Sequence, residues 1–373
     1  MIFFAKMNFT FNEYKTGVHI SREIPAIEKM AALLNTKTSD PSFKPLIVAD
    51  ENTSAIAAKI CGGFNAPHCV LKSGEENKNW QAVETILSAA HAAALGRDGI
   101  FIGVGGGVTG DLTGFAASVY MRGCRLVLAC TTLLGMVDAS VGGKTGFDLF
   151  GRKNLAGTFY PALLVFMPLD SLASLPQKEW KSGMAELIKT AVLDGDDFLD
   201  TLTEITAGGF QNTDKLLSGE TLGKCIERAV LYKGGVVSED MRESGKRMLL
   251  NLGHTFGHAL EAAAGLGNIS HGEAVAWGIA RSCELGRALG ITPEARARKI
   301  KELLESSGYC LSCPHPLAGN AHAILDAMKS DKKKKGGKLT FVIPDEKSAR
   351  CITIESENEI KTLENILKGG LEF

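Results

Sequence analysis

Gly99-Ile100-Phe101-Ile102-Gly103-Val104-Gly105-Gly106-Gly107-Val108-Thr109-Gly110-Asp111 is the stretch on which the fold turns. Its apolar half reads as a buried strand from Gly99 to Val104, and a helix is expected to open at Asp111. Between them Gly105, Gly107 and Gly110 match G-x-G-x-x-G in the strand–turn–helix setting that brings backbone amides close to a pyrophosphate. A tight turn without a ligand would use the same residues. No acid follows ~20 residues later to hold ribose hydroxyls. Asp50 is the candidate for that role, and it could equally cap the helix expected from Ser54.

Outward from this turn, Lys44 to Asp50 and Arg125 to Cys130 read as further strands, and Trp80 to Leu95 as an alanine-rich helix. Alternation of this kind implies a parallel sheet covered by helices. Past about residue 170, apolar residues recur at helical spacing through 179–193, 217–234, 246–264, 272–289, 293–307 and 320–329. Two short β-like runs, Leu339 to Ile343 and Cys351 to Ile354, are expected to pair as a hairpin. The expectation is an α/β dinucleotide-binding domain over 1–170, Rossmann-like with a parallel sheet, and a mainly α-helical metal- and substrate-binding domain over 171–373. A chain of 373 residues exceeds one ordinary core, and a cleft between domains suits a small ligand.

With 45% hydrophobic and 22% charged residues the chain is that of a packed protein, and a formal net charge of −1 gives no basic face for nucleic acid. No stretch is long and apolar enough to read as a membrane span. Nine cysteines, an odd number in no regular framework, suit a reducing compartment, so the location expected is cytoplasmic.

The segment from Thr131 to Asn154 is glycine-rich and polar, and is expected to be a surface loop of functional length. Gly143-Lys144-Thr145 resembles the end of a P-loop only superficially, because the first glycine of that motif is missing. Lys144 and Lys153 suit an anionic substrate or a dinucleotide phosphate.

His254 and His258, four apart, share one face if helical. Thr255 stands where a zinc protease carries its glutamate base, so peptide hydrolysis is not expected. His271 opens the next helix and brings a third imidazole. Glu186 and Lys189 lie three apart among Met184, Ala185, Leu187 and Ile188, where a carboxylate needs a partner.

Taken together, the runs Gly105 to Ser118 with Arg122-Gly123, Asp138 to Gly146, Gly183 to Lys189, Leu250 to Glu261, and His271 to Ala276 resemble the dehydroquinate synthase family of sugar phosphate cyclases. The resemblance spans roughly residues 45 to 345. It implies a zinc or cobalt site made by Glu186, His254 and His271, with His258 released for chemistry. It implies NAD contacts at Asp50, Asn52, Glu75, Lys78, Gly106, Gly107, Val108, Asp111, Thr131, Thr132, Asp138, Lys144, Lys153 and Asn154. Substrate contacts implied are Arg122, Lys189, Lys233, Arg247, Asn251 and His258, together with Lys332 or Lys333 of the lysine turn; Lys144 and Asn154 are expected to touch the substrate phosphate as well.

The activity implied is lyase chemistry: 3-deoxy-D-arabino-heptulosonate 7-phosphate closes to 3-dehydroquinate with loss of phosphate, as in aromatic amino acid biosynthesis, using NAD as a recycled oxidant. The resemblance also suggests a homodimer. Cyclases acting on sedoheptulose 7-phosphate, and a metal-dependent polyol dehydrogenase, are the rival readings. Retention of Lys233, Asn251 and His258 favours the carboxylate-bearing substrate.

Overall fold

The computed structural model of the chain describes residues 3–206, 217, 220–265, 267–313, 320–334 and 339–368, the side chains of residues 3 and 330–334 excepted. Its contacts divide it into two units, Met1–Pro176 with Leu217–Arg242, and Gln177–Leu216 with Glu243–Phe373.

The first unit is built on a seven-stranded sheet. In chain order its elements are β1 (Phe3–Phe11), β2 (Tyr14–Ser21), α1 (Ile27–Leu33), β3 (Pro45–Asp50), α2 (Ser54–Cys61), β4 (His68–Leu71), α3 (Trp80–Ala92), β5 (Ile100–Gly105), α4 (Gly107–Val119), β6 (Arg125–Cys130), β7 (Lys144–Leu149), β8 (Arg152–Phe159) and β9 (Leu164–Pro168). The sheet runs β1-β2-β9-β6-β5-β3-β4, with every pair parallel except β1 with β2. All six residues of β5 are buried, as a central strand covered on both faces requires. Ile47, Ile102, Val104, Val127 and Phe166 from neighbouring strands form its core. From β3 the chain runs outward to β4, then returns through β5 toward β6 and β9. The strand order therefore reverses between β3 and β5, where open α/β sheets hold ligands at their carboxyl ends.

The run from Thr131 to Asn154 departs from the loop expected of it. Gly135–Ala139 makes a π-helical turn, and β7 pairs with β8 as an antiparallel hairpin of its own. Leu149 pairs with Arg152, leaving Phe150 and Gly151 as a two-residue turn at φ 53° and 70°, the left-handed values such turns need.

Helix α7 belongs with the first unit, although it follows α5 (Gln177–Asp194) and α6 (Asp196–Thr206) of the second. It spans Thr221–Glu239 and lies against β1, where Gly223 and Gly234 leave the space taken by Phe4 and Phe9. A single crossing near residue 170 would have put this helix in the second unit.

The second unit continues through α8 (His254–Ala264), α9 (His271–Ala288), α10 (Glu294–Ser306), α11 (Ala321–Lys334), the hairpin β10 (Leu339–Pro344) with β11 (Ala349–Ile354), and α12 (Glu357–Lys368). Phe256, Trp277, Leu325, Phe341 and Leu363 share its core. Among the described residues no helix is long and apolar enough to cross a membrane.

Candidate metal centre and dinucleotide cradle

Glycines set the geometry of the candidate metal centre. A Cβ on Gly257 of α8 would sit 2.9 Å from the carbonyl oxygen of Ala274 in α9, so only glycine allows the helices this close. Gly253, at φ 79°, turns the chain into α8 and would also clash with Val275 O at 2.8 Å if it carried a side chain. A Cβ on Gly272 would run into Ser182 of α5. These approaches bring one residue from each helix together.

Those residues are Glu186, His254 and His271, whose ligand atoms all lie within 4.8 Å of one another. Both imidazoles present Nε2 to the same carboxylate oxygen, Glu186 Oε1, at 3.5 Å from His254 and 3.3 Å from His271. Three ligands held at about 2.1 Å around one tetrahedral ion sit roughly 3.4 Å apart, so the spacing suits an ion between them. Glu186 is fully buried, so its charge has to be balanced by the groups around it. Lys189, three residues on, pairs with Oε2. Burial alone would raise this carboxyl, but Lys189, His254 and His271 hold it well below the usual carboxylate range.

The histidines are oriented from behind. His254 Nδ1 faces the carbonyl oxygen of Leu252 at 3.1 Å, and His271 Nδ1 faces Glu261 at 3.8 Å. Burial lowers His254 to about 3, keeping it neutral as a ligand must be. His271 is raised to about 10, because Glu186 and Glu261 outweigh the burial that opposes its charge. The donor set, one carboxylate and two imidazoles, suits zinc or cobalt and leaves coordination positions open.

His258 is exposed, with its ring centre 5.2 Å from that of His254 and 6.4 Å from that of His271. It lies outside the trio whose ligand atoms converge. Asn251 hydrogen-bonds Glu243, a residue sequence reasoning passed over, and Arg247 is buried in the turn preceding α8. Lys332 and Lys333 fall in the last turn of α11, and their side chains lie outside the described residues.

In the first unit, α4 begins directly after β5, at the point where the strand order reverses. Gly106 is its N-cap and offers no side-chain cap, so the first-turn amides of Gly107, Val108 and Thr109 face an open end. A Cβ on Gly106 would lie 2.9 Å from Thr132, and one on Gly107 would touch Ala139 at 3.4 Å. This is a cradle that backbone alone can line, and its positive helix end suits a pyrophosphate.

Asp50 Oδ1 accepts from the amides of Asn52 and Thr53 at 2.9 and 3.0 Å, and its Oδ2 accepts from the Thr109 hydroxyl at 3.0 Å. The carboxylate therefore ties the turn after β3 to α4. Lys78, only 4% exposed, donates to Asp111 at 2.6 Å and to Asn154 at 2.5 Å. Burial opposes its charge, yet Asp111 and Glu75 hold it above the ordinary lysine value. Asp148, also unforeseen, accepts from the Asn154 amide at 2.7 Å and helps hold that residue at φ 51°. Thr131 donates its amide to Gly105 O, and Thr132 accepts from the Gly135 amide. Lys233 of α7 pairs with Asp138 at 2.7 Å, joining a residue expected at substrate to one expected at NAD. Asn52, Arg122, Lys144 and Lys153 are exposed and Glu75 is half-exposed; Arg122 is held at φ 71°.

Family models place residues 68–182 as 3-dehydroquinate synthase N-terminal and residues 183–334 as 3-dehydroquinate synthase C-terminal. The chain belongs to the 3-dehydroquinate synthase family. A member from Prochlorococcus marinus (strain MIT 9313) is 40% identical over 310 residues, covering 81% of each chain. Among solved structures, a 2-epi-5-epi-valiolone synthase from Streptomyces hygroscopicus subsp. jinggangensis 5008, with NAD+ and Zn2+ bound, superposes with a TM-score of 0.80 at 26% identity, covering 96% of this chain and 98% of that one. A 2-deoxy-scyllo-inosose synthase, solved with carbaglucose-6-phosphate, NAD+ and Co2+, reaches 0.82 at 24% identity over 98% and 100%, which speaks for the fold. The 3-dehydroquinate synthase family is a family of enzymes, and its boundary between models at residue 182 falls within α5, four residues before Glu186.

Proposed function

We propose that this chain converts 3-deoxy-D-arabino-heptulosonate 7-phosphate into 3-dehydroquinate and phosphate, with Glu186, His254 and His271 as metal ligands. The observation that carries the reading is the convergence of two imidazole Nε2 atoms on one oxygen of a fully buried carboxylate, in a chain 40% identical to a 3-dehydroquinate synthase. A zinc or cobalt ion held there supplies an electrophile for a substrate hydroxyl and carbonyl oxygen. NAD, held by the amides at Gly106, Gly107 and Val108, by the ion-paired set Lys78, Asp111 and Asn154, and by Asp50, Asn52, Glu75, Thr131, Thr132, Asp138, Lys144 and Lys153, supplies a hydride acceptor that is restored at the end.

The protein's own groups do the rest. Arg122, Lys144 and Asn154, with Lys332 or Lys333, bind the phosphate that leaves, and the substrate's own phosphate oxygen assists removal of the neighbouring proton. Arg247 and Lys233 take the carboxylate and hydroxyls, where a planar guanidinium fits a carboxylate in two hydrogen bonds. Lys189 keeps Glu186 ionised and reaches the substrate. His258, with Asn251 oriented by Glu243, moves protons, as an imidazole with one donor and one acceptor nitrogen can.

Incubating the zinc- and NAD-loaded chain separately with the heptulosonate phosphate, sedoheptulose 7-phosphate and glucose 6-phosphate tests the substrate. Phosphate release from the heptulosonate alone is expected; release only from sedoheptulose 7-phosphate overturns the assignment. The reading includes a homodimer, supported by the exposed apolar side chains Phe150, Leu155 and Phe159 on the β7–β8 hairpin, and a cytoplasmic location, supported by nine cysteines with no disulfide among the described residues. A monomer by sedimentation at assay concentrations counts against the first.

A further inference from the structure

His254, His258 and Glu261 fall at successive turns along one face of α8. The first is a candidate ligand and the second stands beside it. The third reaches the other ligand helix. α9 starts at His271 because Ser270 caps it in a reciprocal box with Glu273, which fixes where the ring emerges. That ring then lies between two carboxylates, one for each nitrogen: Glu186 Oε1 is 3.3 Å from Nε2, and Glu261 Oε2 is 3.8 Å from Nδ1. The Glu261 side chain is only 12% exposed, so its charge is largely removed from water and needs a partner.

We infer that Glu261 is a positioning residue for His271, fixing which ring nitrogen carries the proton. A neutral imidazole has a single N–H. When a metal takes the place of the proton on Nε2, a carboxylate facing Nδ1 keeps the remaining proton there and leaves the Nε2 lone pair for the ion. At 3.8 Å the contact is in ion-pair range and longer than a hydrogen bond, so it acts through charge. His254 is turned the same way by a backbone carbonyl, that of Leu252. The two ligands thus differ in how they are held: one by main chain, the other by a side chain borrowed from its partner's helix. This inference rests on the metal reading given above.

The test uses the full chain and two variants, Glu261→Gln and Glu261→Ala, with zinc affinity measured by competition against a chromophoric chelator and the visible spectrum of the Co2+-loaded protein recorded for each. Loss of an outer carboxylate on a metal-ligating histidine weakens binding by about 10–100-fold. Glu261→Ala is expected to show that loss and a changed Co2+ spectrum; Glu261→Gln, which keeps an acceptor oxygen, should recover part of both. Parental affinity and an unaltered spectrum in both variants overturn the inference, as does a loss of zinc that only tracks unfolding seen by circular dichroism. His271→Ala serves as the reference. If it binds zinc as tightly as the parent, the metal reading itself fails and takes this role with it.

Discussion

Lys233 donates to both the backbone carbonyl and the carboxylate of Asp138, each at 2.7 Å. The pair ties α7 to the π-helical turn that follows β6, within one unit. It gives a physical reason for a helix from the second half of the sequence to return to the unit that carries the parallel sheet. Lys233 is 10% exposed and Asp138 29%, so breaking the pair should cost about 2–3 kcal/mol, less than for a fully buried one. Lys233→Met is expected to weaken NAD binding as well as raise KM for the heptulosonate. Parental NAD affinity in that variant, read by fluorescence titration, would contradict the link.

His258 is next to the candidate ligands without belonging to them. Replacing it by alanine should leave one zinc per chain, measured by atomic absorption, while turnover falls by about 10²–10⁴-fold, the usual contribution of a positioned acid–base group. Unchanged turnover removes it from the mechanism. His254→Ala should instead lose the metal.

Metal uptake should depend on pH in a definite direction. His254, at about 3, is already neutral, whereas His271, at about 10, carries a proton that a metal must displace. Apparent zinc affinity is therefore expected to rise about tenfold per pH unit between about pH 7 and 9. Calorimetry at pH 7 in buffers of different ionisation enthalpy should count about one proton released per zinc; no release contradicts the assignment. In the metal-free chain, the raised value of His271 contributes stability that is complete below the ordinary histidine pKa of ~6.5 and is lost as pH climbs through about 10.

Gly257→Ala probes the helix approach that assembles the centre. The added methyl meets Ala274 O at 2.9 Å, a backbone atom that cannot rotate away. A loss of about 1–3 kcal/mol in urea unfolding is expected, with weaker zinc binding as His254 and His271 separate. Parental stability and affinity would show that the helices have slack there.

Much of this was legible in the residues. The apolar run ending at Gly105 and the glycines after it have one economical reading, and the structure has strand, turn and helix there, with α4 opening four residues earlier than the helix expected at Asp111. Glu186 announced itself as a carboxylate in an apolar stretch. The β7–β8 hairpin did not, because β8 exposes most of its residues and carries no alternating apolar face; Phe150-Gly151 was its one local signal. Membership of α7 was hidden for a different reason: helical periodicity shows that a face is buried and is silent on what covers it. Glu261 and Glu243 were missed because an acid near the end of a helix or in a turn is ordinary in sequence, and only the fold sets each beside its partner.

The central claim is that a metal held by Glu186, His254 and His271 serves a phosphate-eliminating ring closure in which NAD is restored. Phosphate release from 3-deoxy-D-arabino-heptulosonate 7-phosphate, followed with NAD present and with or without chelator, tests it most directly. The expected result is one phosphate per substrate with no net absorbance at 340 nm, abolished by chelator and restored by zinc. Net NADH accumulation, or phosphate release indifferent to the chelator, would contradict it.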